Sequence, residues 1–315
     1  MKVVAIVQAR MGSTRLPNKV MKPIGGVPMI KVLLARLARA TEVNEIVVAT
    51  SADPRNQPLA DHVSGLGYKC SRGSESEAML GAVGVDQWKV VSKLPALPEG
   101  IRDIEAWVDE QIHASLTRLK VNSVYGLLLH RSADLLGPEG QAVLEAMKSL
   151  KRQGIAKKIG ISIYNPKELD AVSKACVVDL VQAPFNVLDR RLETSGWLQR
   201  LHDQGVEIHV RSAFLQGLLL MSRSAIPLQF ERWAHLWDVW REWLEEKNVT
   251  ATEACLGFIS SYDNIDRLVV GADSGSQLEE ILVTAAEELI NQSPNLVCDD
   301  EDLLNPSNWE HNISQ

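Results

Sequence analysis

Short runs of apolar, β-branched residues alternate with segments of helical periodicity along almost the whole chain, and that alternation limits the fold more than any other feature. The stretches "VVAIVQA" (3–9) and "EIVVATS" (45–51) have the length and composition of strands. Between them, "PMIKVLLARLARA" (28–40) carries helical spacing and opens on Pro28, where a missing N–H costs nothing. A second helix is read over "PLADHVSGLG" (58–67), stopped by glycine, and a third short strand over "YKCSR" (68–72). A βαβαβ order implies parallel strands, because each helix carries the chain back to the end where the previous strand began.

The rhythm resumes after residue 84. Strands are expected at 88–94, 124–130, 157–164, 178–186, 207–215 and 266–273. Helices are expected near 103–120, 139–153, 166–176, 191–204, 229–247, 251–262 and 276–289. Strands each followed by a helix suit a (β/α) barrel or a large open sheet, and a complete barrel has eight strands. Trp233, Trp237, Trp240 and Trp243 share one helical face, which either covers a core or walls a substrate pocket. The end of the chain, "CDDEDLLNPSNWEHNISQ", is acidic and without pattern, so it is expected to fray.

A formal net charge of −7 gives no broad basic surface and argues against nucleic acid as the main partner, while leaving room for a local anion site. No apolar run reaches the roughly 18–20 residues that span a bilayer, so no membrane partner is expected. The start, "MKVVAIVQARMGS", has too short an apolar core for a signal peptide, and a cytoplasmic protein is expected. Cys70, Cys176, Cys255 and Cys298 are widely spaced and form no C-x-x-C pair, so neither a metal site nor a disulfide framework is expected.

Two stretches carry chemistry. Directly after the first strand, Arg10, Arg15 and Lys19 cluster with Gly12 and Ser13 in "QARMGSTRLPNKVMKPIGG" (8–26). A glycine turn lets backbone N–H groups approach an anion, and arginine binds phosphate through two N–H groups at once. Chemistry alone leaves two readings, a phosphate site or a solvated basic loop. Further on, Lys93 ends one expected strand and His130 ends the next. At C-terminal strand ends of a barrel they would face one pocket; otherwise Lys93 is solvated and His130 packs.

The N-terminal stretch resembles the cytidylyltransferases that activate acidic sugars, including the branch of spore-coat polysaccharide synthesis. The likeness runs through "QARMGSTRLP-K", "GG-PMI", "EIVVATSADPRNQPLADHV" and "RGSE", and covers residues 1 to about 81. It implies that Arg10, Gly12, Ser13, Arg15 and Lys19 descend from a CTP-phosphate site. The family's later half, with metal-binding aspartates and a sugar pocket, does not follow. The CTP/Mg²⁺ site is therefore expected to be vestigial.

From residue 86 to about 290 the chain resembles the aldo/keto reductases, through "VSKLP", "SLTRLKVNSVYGLLLH", "LKRQGIAKKIGISIYNPKEL", "VQAPFNVLDRR", "VRSAFLQGLLL" and "VVGADSGSQLEEIL". The resemblance implies a (β/α)8 barrel moving hydride from NADPH to aldehydes and ketones. It places Lys93 and His130 in the catalytic tetrad, Ser162 and Gln182 on the nicotinamide amide, and Arg211 and Ser212 beside the nicotinamide. Gly271, Ser274 and Gln277 fall in the loop that grips the adenosine phosphate. That loop has Asp273 and no arginine or lysine, which leaves NADPH and NADH both open. Ile163 stands where asparagine commonly follows the serine.

The family's Tyr-Gly-x-Ser-Glu-x-x-Leu-Gly string is present only from Ser76: Glu77, Leu80 and Gly81 are in place, Gly73 occupies the tyrosine position, and Tyr68 lies five residues too early. The tetrad aspartate and the first two barrel strands are also missing. "RGSESEAMLGAV" (72–83) thus reads as a scar joining two families. The expected fold is α/β, an incomplete (β/α)8 TIM-type barrel (82–292) preceded by a Rossmann-like βαβαβ fragment (1–81), with an acidic tail (293–315). The N-terminal strands are expected to dock on the barrel remnant as a hybrid sheet. The expected function is NAD(P)H-dependent reduction of a small-molecule carbonyl compound, sugar-derived by association with the N-terminal fragment. Alternatives are a cytidylyltransferase of cell-surface polysaccharide synthesis and a non-catalytic nucleotide-binding remnant.

Overall fold

The computed structural model describes residues 4–9, 11, 18–39, 45–51, 54–73, 77, 80–81, 84–271, 275–287, 289 and 292–309. The chain divides into two compact units. The first comprises Met1–Ser92, Glu105–Gly126 and Ser149–Lys157; the second comprises Lys93–Ile104, Leu127–Lys148 and Lys158–Gln315.

In the first unit, β1 (Val4–Gln8) is followed by a two-stranded antiparallel ribbon of β2 (Pro23–Ile24) and β3 (Val27–Pro28). A helix, Met29–Leu37, begins directly after Pro28. Next come β4 (Glu45–Ser51), a helix Gln57–Gly65 and β5 (Lys69–Gly73). The sheet is parallel in the order β1-β4-β5, with Val4 opposite Glu45 and Val47 opposite Lys69. Its core is Ala9, Ile30, Leu34, Val48, Leu59 and Val63, the inward positions of strands and helices read from periodicity.

The remaining strands are β6 (Val91–Leu94), β7 (Val124–Leu129), β8 (Ala156–Ser162), β9 (Leu180–Pro184), β10 (Glu207–Arg211) and β11 (Arg267–Leu268). They form a six-stranded sheet in the order β11-β10-β9-β8-β7-β6, parallel from β8 through β11. Gly160 is required where β8 meets β9: a Cβ there would stand 1.9 Å from the Leu180 carbonyl oxygen.

Several boundaries differ from expectation. β6 starts three residues late, with Trp88 left 75% exposed, and β11 shrinks to two residues. The helix expected at 191–204 is broken into Arg191–Thr194 and Trp197–Asp203 by Gly196, whose φ is +75°. Among the described residues the three-stranded and six-stranded sheets share no hydrogen-bonded ladder, where a hybrid sheet was expected. The N-terminal strands instead pair with their sequence neighbours, which the short helical crossovers favour.

The tryptophan helix, Ala234–Lys247, serves the core. Trp237 and Trp240 are fully buried, and their indole N–H groups donate to the Phe230 and Leu219 carbonyls at 3.0 and 2.9 Å. Residues 293–309 are ordered, against the expectation of fraying. Leu303 and Leu304 are buried, Trp309 meets the Phe230 ring edge-on at 4.8 Å, and the Cys298 N–H donates to the Leu188 carbonyl. No helix among the described residues is long and apolar enough to cross a membrane.

Candidate active site

In the second unit the strand ends converge on Lys93. β8 and β9 pair with Ser162 directly opposite Gln182, so these two buried side chains stand next to each other. Lys93, near the end of β6, reaches both: Nζ lies 3.2 Å from Ser162 Oγ and 2.6 Å from Gln182 Oε1. Both partners are neutral. Burial, followed by the positive charge of Arg211, lowers the Lys93 pKa to about 8.

Arg211 ends β10. Its Nη2 donates to the Ile163 carbonyl at 2.9 Å, its Nη1 lies 3.2 Å from Ser212 Oγ, and its guanidinium covers the Tyr164 ring at 4.8 Å. Ser212 has a φ of +65°, a left-handed conformation uncommon for serine, and Asn186 Nδ2 donates to its carbonyl at 3.0 Å. His130 lies one residue past β7, and its backbone N–H donates to the Leu94 carbonyl at 3.2 Å. Its ring meets Tyr164 edge-on at 6.5 Å. Partial burial, then Lys93, Arg211 and Arg131, lower the His130 pKa, with Asp134 opposing them. The imidazole is therefore held toward its neutral form.

Arg211 and Ser212 also line a cleft of about 460 Å³ together with Phe214, Gln216, Gly217, Gly271 and Gln277. Gln216 and Gly217 have φ of +53° and +89°, so the loop after β10 turns tightly along the cleft. The structure thus brings Lys93, Ser162 and Gln182 into contact and sets Arg211, Ser212, Gly271 and Gln277 along one cleft. Ser274 lies outside the described residues, as does Asp273.

Of the phosphate-loop residues, Arg10, Gly12, Ser13 and Arg15 lie outside the described residues, and of Lys19 only the backbone is described, opening the turn Lys19–Met21. The ends of the loop are tied. Asn18 N–H donates to the Met11 carbonyl at 2.9 Å, and Met11 N–H donates to Asn56 Oδ1 at 2.6 Å. Tyr68 packs against the core of the first unit. Of the shared string, Gly81 packs against the Arg118 backbone, where a Cβ would stand 1.9 Å from the carbonyl oxygen, and Glu77 bonds within the first unit. The Glu77 carboxylate accepts from Ser92, Ser115 and Arg118 at 2.5, 2.9 and 2.8 Å.

Two groups escaped sequence reasoning. Tyr164 stands between His130 and Arg211, and its signal was an aromatic residue two places after Ser162. Asp189, fully buried, takes both Arg191 Nε and Nη2 at 2.8 Å, while Asn186 Oδ1 accepts the Leu188 and Asp189 N–H groups. Together these fix the turn after β9.

Comparison with known proteins accounts for both halves. The model of the cytidylyltransferase family matches residues 4–78, and that of the aldo/keto reductase family matches residues 68–295. The spore coat polysaccharide biosynthesis protein SpsF of Bacillus subtilis is 35% identical over 81 residues, which cover 24% of this chain and 34% of that protein. The uncharacterized oxidoreductase YqkF of Bacillus subtilis is 24% identical over 194 residues, 58% of this chain and 61% of the relative. The chain therefore spans less than two thirds of the length of these curated relatives. Among solved structures, an aldo-keto reductase from Bacillus halodurans in its holo form superposes with a TM-score of 0.58 at 21% identity, covering 82% of this chain and 85% of that one. An N-terminal cytidylyltransferase domain over 4–78 is thus joined to a reductase domain over 68–295, and the chain belongs to the aldo/keto reductase family.

Proposed function

We propose that this chain is a reductase-type oxidoreductase that binds NADPH or NADH at the strand ends of its second unit and acts slowly on a small-molecule carbonyl compound, sugar-derived by its association with the N-terminal domain. The observation that carries this reading is the contact of Lys93 with Ser162 and Gln182. One amine reaches both side chains, so one carboxamide could bond to both: Ser162 Oγ and Gln182 are a hydroxyl and an amide on adjacent strands. The cleft beyond them, about 460 Å³, falls in the range of cofactor and ligand sites. Arg211, Ser212, Gly271 and Gln277 would line the cofactor along it, with Ser274 assigned there by resemblance. When bound, the cofactor supplies a hydride.

The chain's own residues do the rest. His130 donates a hydrogen bond to a carbonyl oxygen as negative charge develops there, and the Lys93 ammonium adds electrostatic stabilisation. The tetrad aspartate and tyrosine are missing by descent, since the reductase segment begins with an incomplete barrel short of its first two strands. Loss of a positioned general acid costs roughly 10²–10⁴-fold in rate, so slow turnover is expected. By descent we divide the chain at residues 81 and 292. The N-terminal loop retains phosphate-binding residue types with no sugar-binding half behind them, and CTP/Mg²⁺ chemistry is not expected from it. Four free cysteines fit the cytoplasm, where thiols stay reduced.

Titration of the purified chain with NADPH, followed by quenching of tryptophan fluorescence, tests the reading. Saturable quenching together with slow NADPH oxidation by a generic aldehyde is the expected result. Absence of both would reduce the reductase assignment to ancestry.

A further inference from the structure

Lys93 has an unusual setting for a lysine. Its amine is held by two neutral oxygens, Ser162 Oγ and Gln182 Oε1, and the charged group that acts on it most is a second cation, Arg211. A carboxylate beside an ammonium keeps it protonated; burial, the larger cause here, and a neighbouring guanidinium do the reverse, and neither neutral oxygen supplies the negative charge that would offset them. The neutral amine is the nucleophile of imine chemistry, and desolvation next to another cation is the general means of making one. The amine stands near a strand end, with His130 from β7 and Arg211 from β10 as the titratable and charged groups coupled to it. Two donors of Arg211 are engaged by Ile163 and Ser212, which fixes the guanidinium in place as a partner for an anionic group.

We propose that Lys93 forms an imine with small aldehydes or 2-oxo acids that carry a carboxylate or phosphate, the anionic group pairing with Arg211. The Nζ lone pair adds to the carbonyl carbon, and the C=O π pair moves to oxygen. The nitrogen gives up one proton and the oxygen gains one, so a neutral carbinolamine forms. Loss of that hydroxyl as water, with a second proton from the nitrogen, leaves the C=N bond. One amine and one carbonyl compound yield one imine and one water, and nothing is oxidised or reduced. His130, held toward its neutral form, is the group placed to carry these protons. The step needs no nicotinamide, so it stands apart from the reductase reading.

The test uses the full chain without cofactor, treated with glyoxylate and cyanoborohydride at neutral pH and mapped by peptide mass spectrometry. The Lys93 peptide should gain one carboxymethyl group about tenfold faster than the average of the other lysines, because its neutral fraction is larger. Gln182→Glu keeps the amine but sets a carboxylate against it, and should slow labelling of Lys93 by about tenfold. Propanal, which lacks an anionic group, should label Lys93 more slowly than glyoxylate. Labelling spread evenly over the lysines overturns the proposal. So does an unchanged rate in a Gln182→Glu variant whose tryptophan fluorescence shows the native fold. A failed NADPH titration with successful labelling would sink the reductase reading alone.

Discussion

Lys93 Nζ and Gln182 Oε1 lie 2.6 Å apart, and this bond joins residues 89 positions apart in sequence across the end of the second unit. Gln182 and its register partner Ser162 are also the residues that the resemblance assigns to the nicotinamide amide, so in the proposed function the amine competes with a cofactor amide for them.

Competition follows from that geometry. Lys93→Met frees Ser162 Oγ and Gln182 Oε1, each worth roughly 0.5–1.5 kcal/mol in a hydrogen bond. NADPH should bind the variant about 2–10-fold more tightly by fluorescence titration. Weaker binding would show that Lys93 assists the cofactor instead of displacing it.

The Lys93 pKa carries a stability signature. Its folded value of about 8 lies below its ordinary value of 10.5. Between those values the unfolded chain holds more protons than the folded one, so stability rises with pH and the gain is complete above the unfolded pKa. Lys93 is partly solvated, so the gain is about 1 kcal/mol. Urea denaturation at pH 7.5 and pH 10 should show wild type gaining on Lys93→Met by that amount. Parallel behaviour of the two proteins would contradict the assigned pKa.

At the junction of the two families, Glu77 and Gly81 have structural duties. Glu77→Ala takes the carboxylate acceptor from Arg118, whose side chain is 28% exposed, and from Ser92 and Ser115, leaving Ser115 Oγ as an acceptor for Arg118 and Ser92. A loss of about 2–3 kcal/mol is expected. In Gly81→Ala the new Cβ would stand 1.9 Å from the Arg118 carbonyl oxygen, forcing backbone movement and a cost of about 1–3 kcal/mol. Denaturation midpoints measure both. Neutral outcomes would mean that the shared string is a relic without a packing role.

The acidic end of the chain is part of the second unit. Leu303 is fully buried, and Arg232 Nη2 donates to Asp300 at 2.7 Å. Leu303→Ala should cost about 2–5 kcal/mol and lower the thermal midpoint. An unchanged midpoint would restore the picture of a frayed tail.

Much of the fold was legible in the sequence, because strand and helix periods are local properties of the chain. The core residues Ile30, Leu34, Val48, Leu59 and Val63 fall at the spacing that periodicity assigns to inward faces. The tail was misread because "DLL" and "NPSNW" have no period of their own. Their order comes with partners far away in sequence: Trp309 meets the Phe230 ring and Arg232 binds Asp302. β11 was overdrawn for the opposite reason: "LVVGA" has strand composition, yet its backbone bonds to β10 run no further than Val269, whose N–H donates to the Val210 carbonyl.

The candidate site divides along the same line. Strand-end positions and family strings bring Lys93, His130, Ser162 and Gln182 to attention as residue types. Tyr164, Asn186 and Asp189 acquire their roles from neighbours far away in sequence or from a turn seen only when folded. The sequence by itself determined the alternating elements, the parallel sense of the N-terminal strands and the two families that meet at residues 72–83. Only the tertiary structure decided that the two sheets share no ladder among the described residues and that Lys93 rests on two neutral oxygens beside a guanidinium. The physical reason is range. Periodicity acts through a few residues of chain, whereas the charge state of an amine depends on burial and on every charge brought within several ångströms by folding.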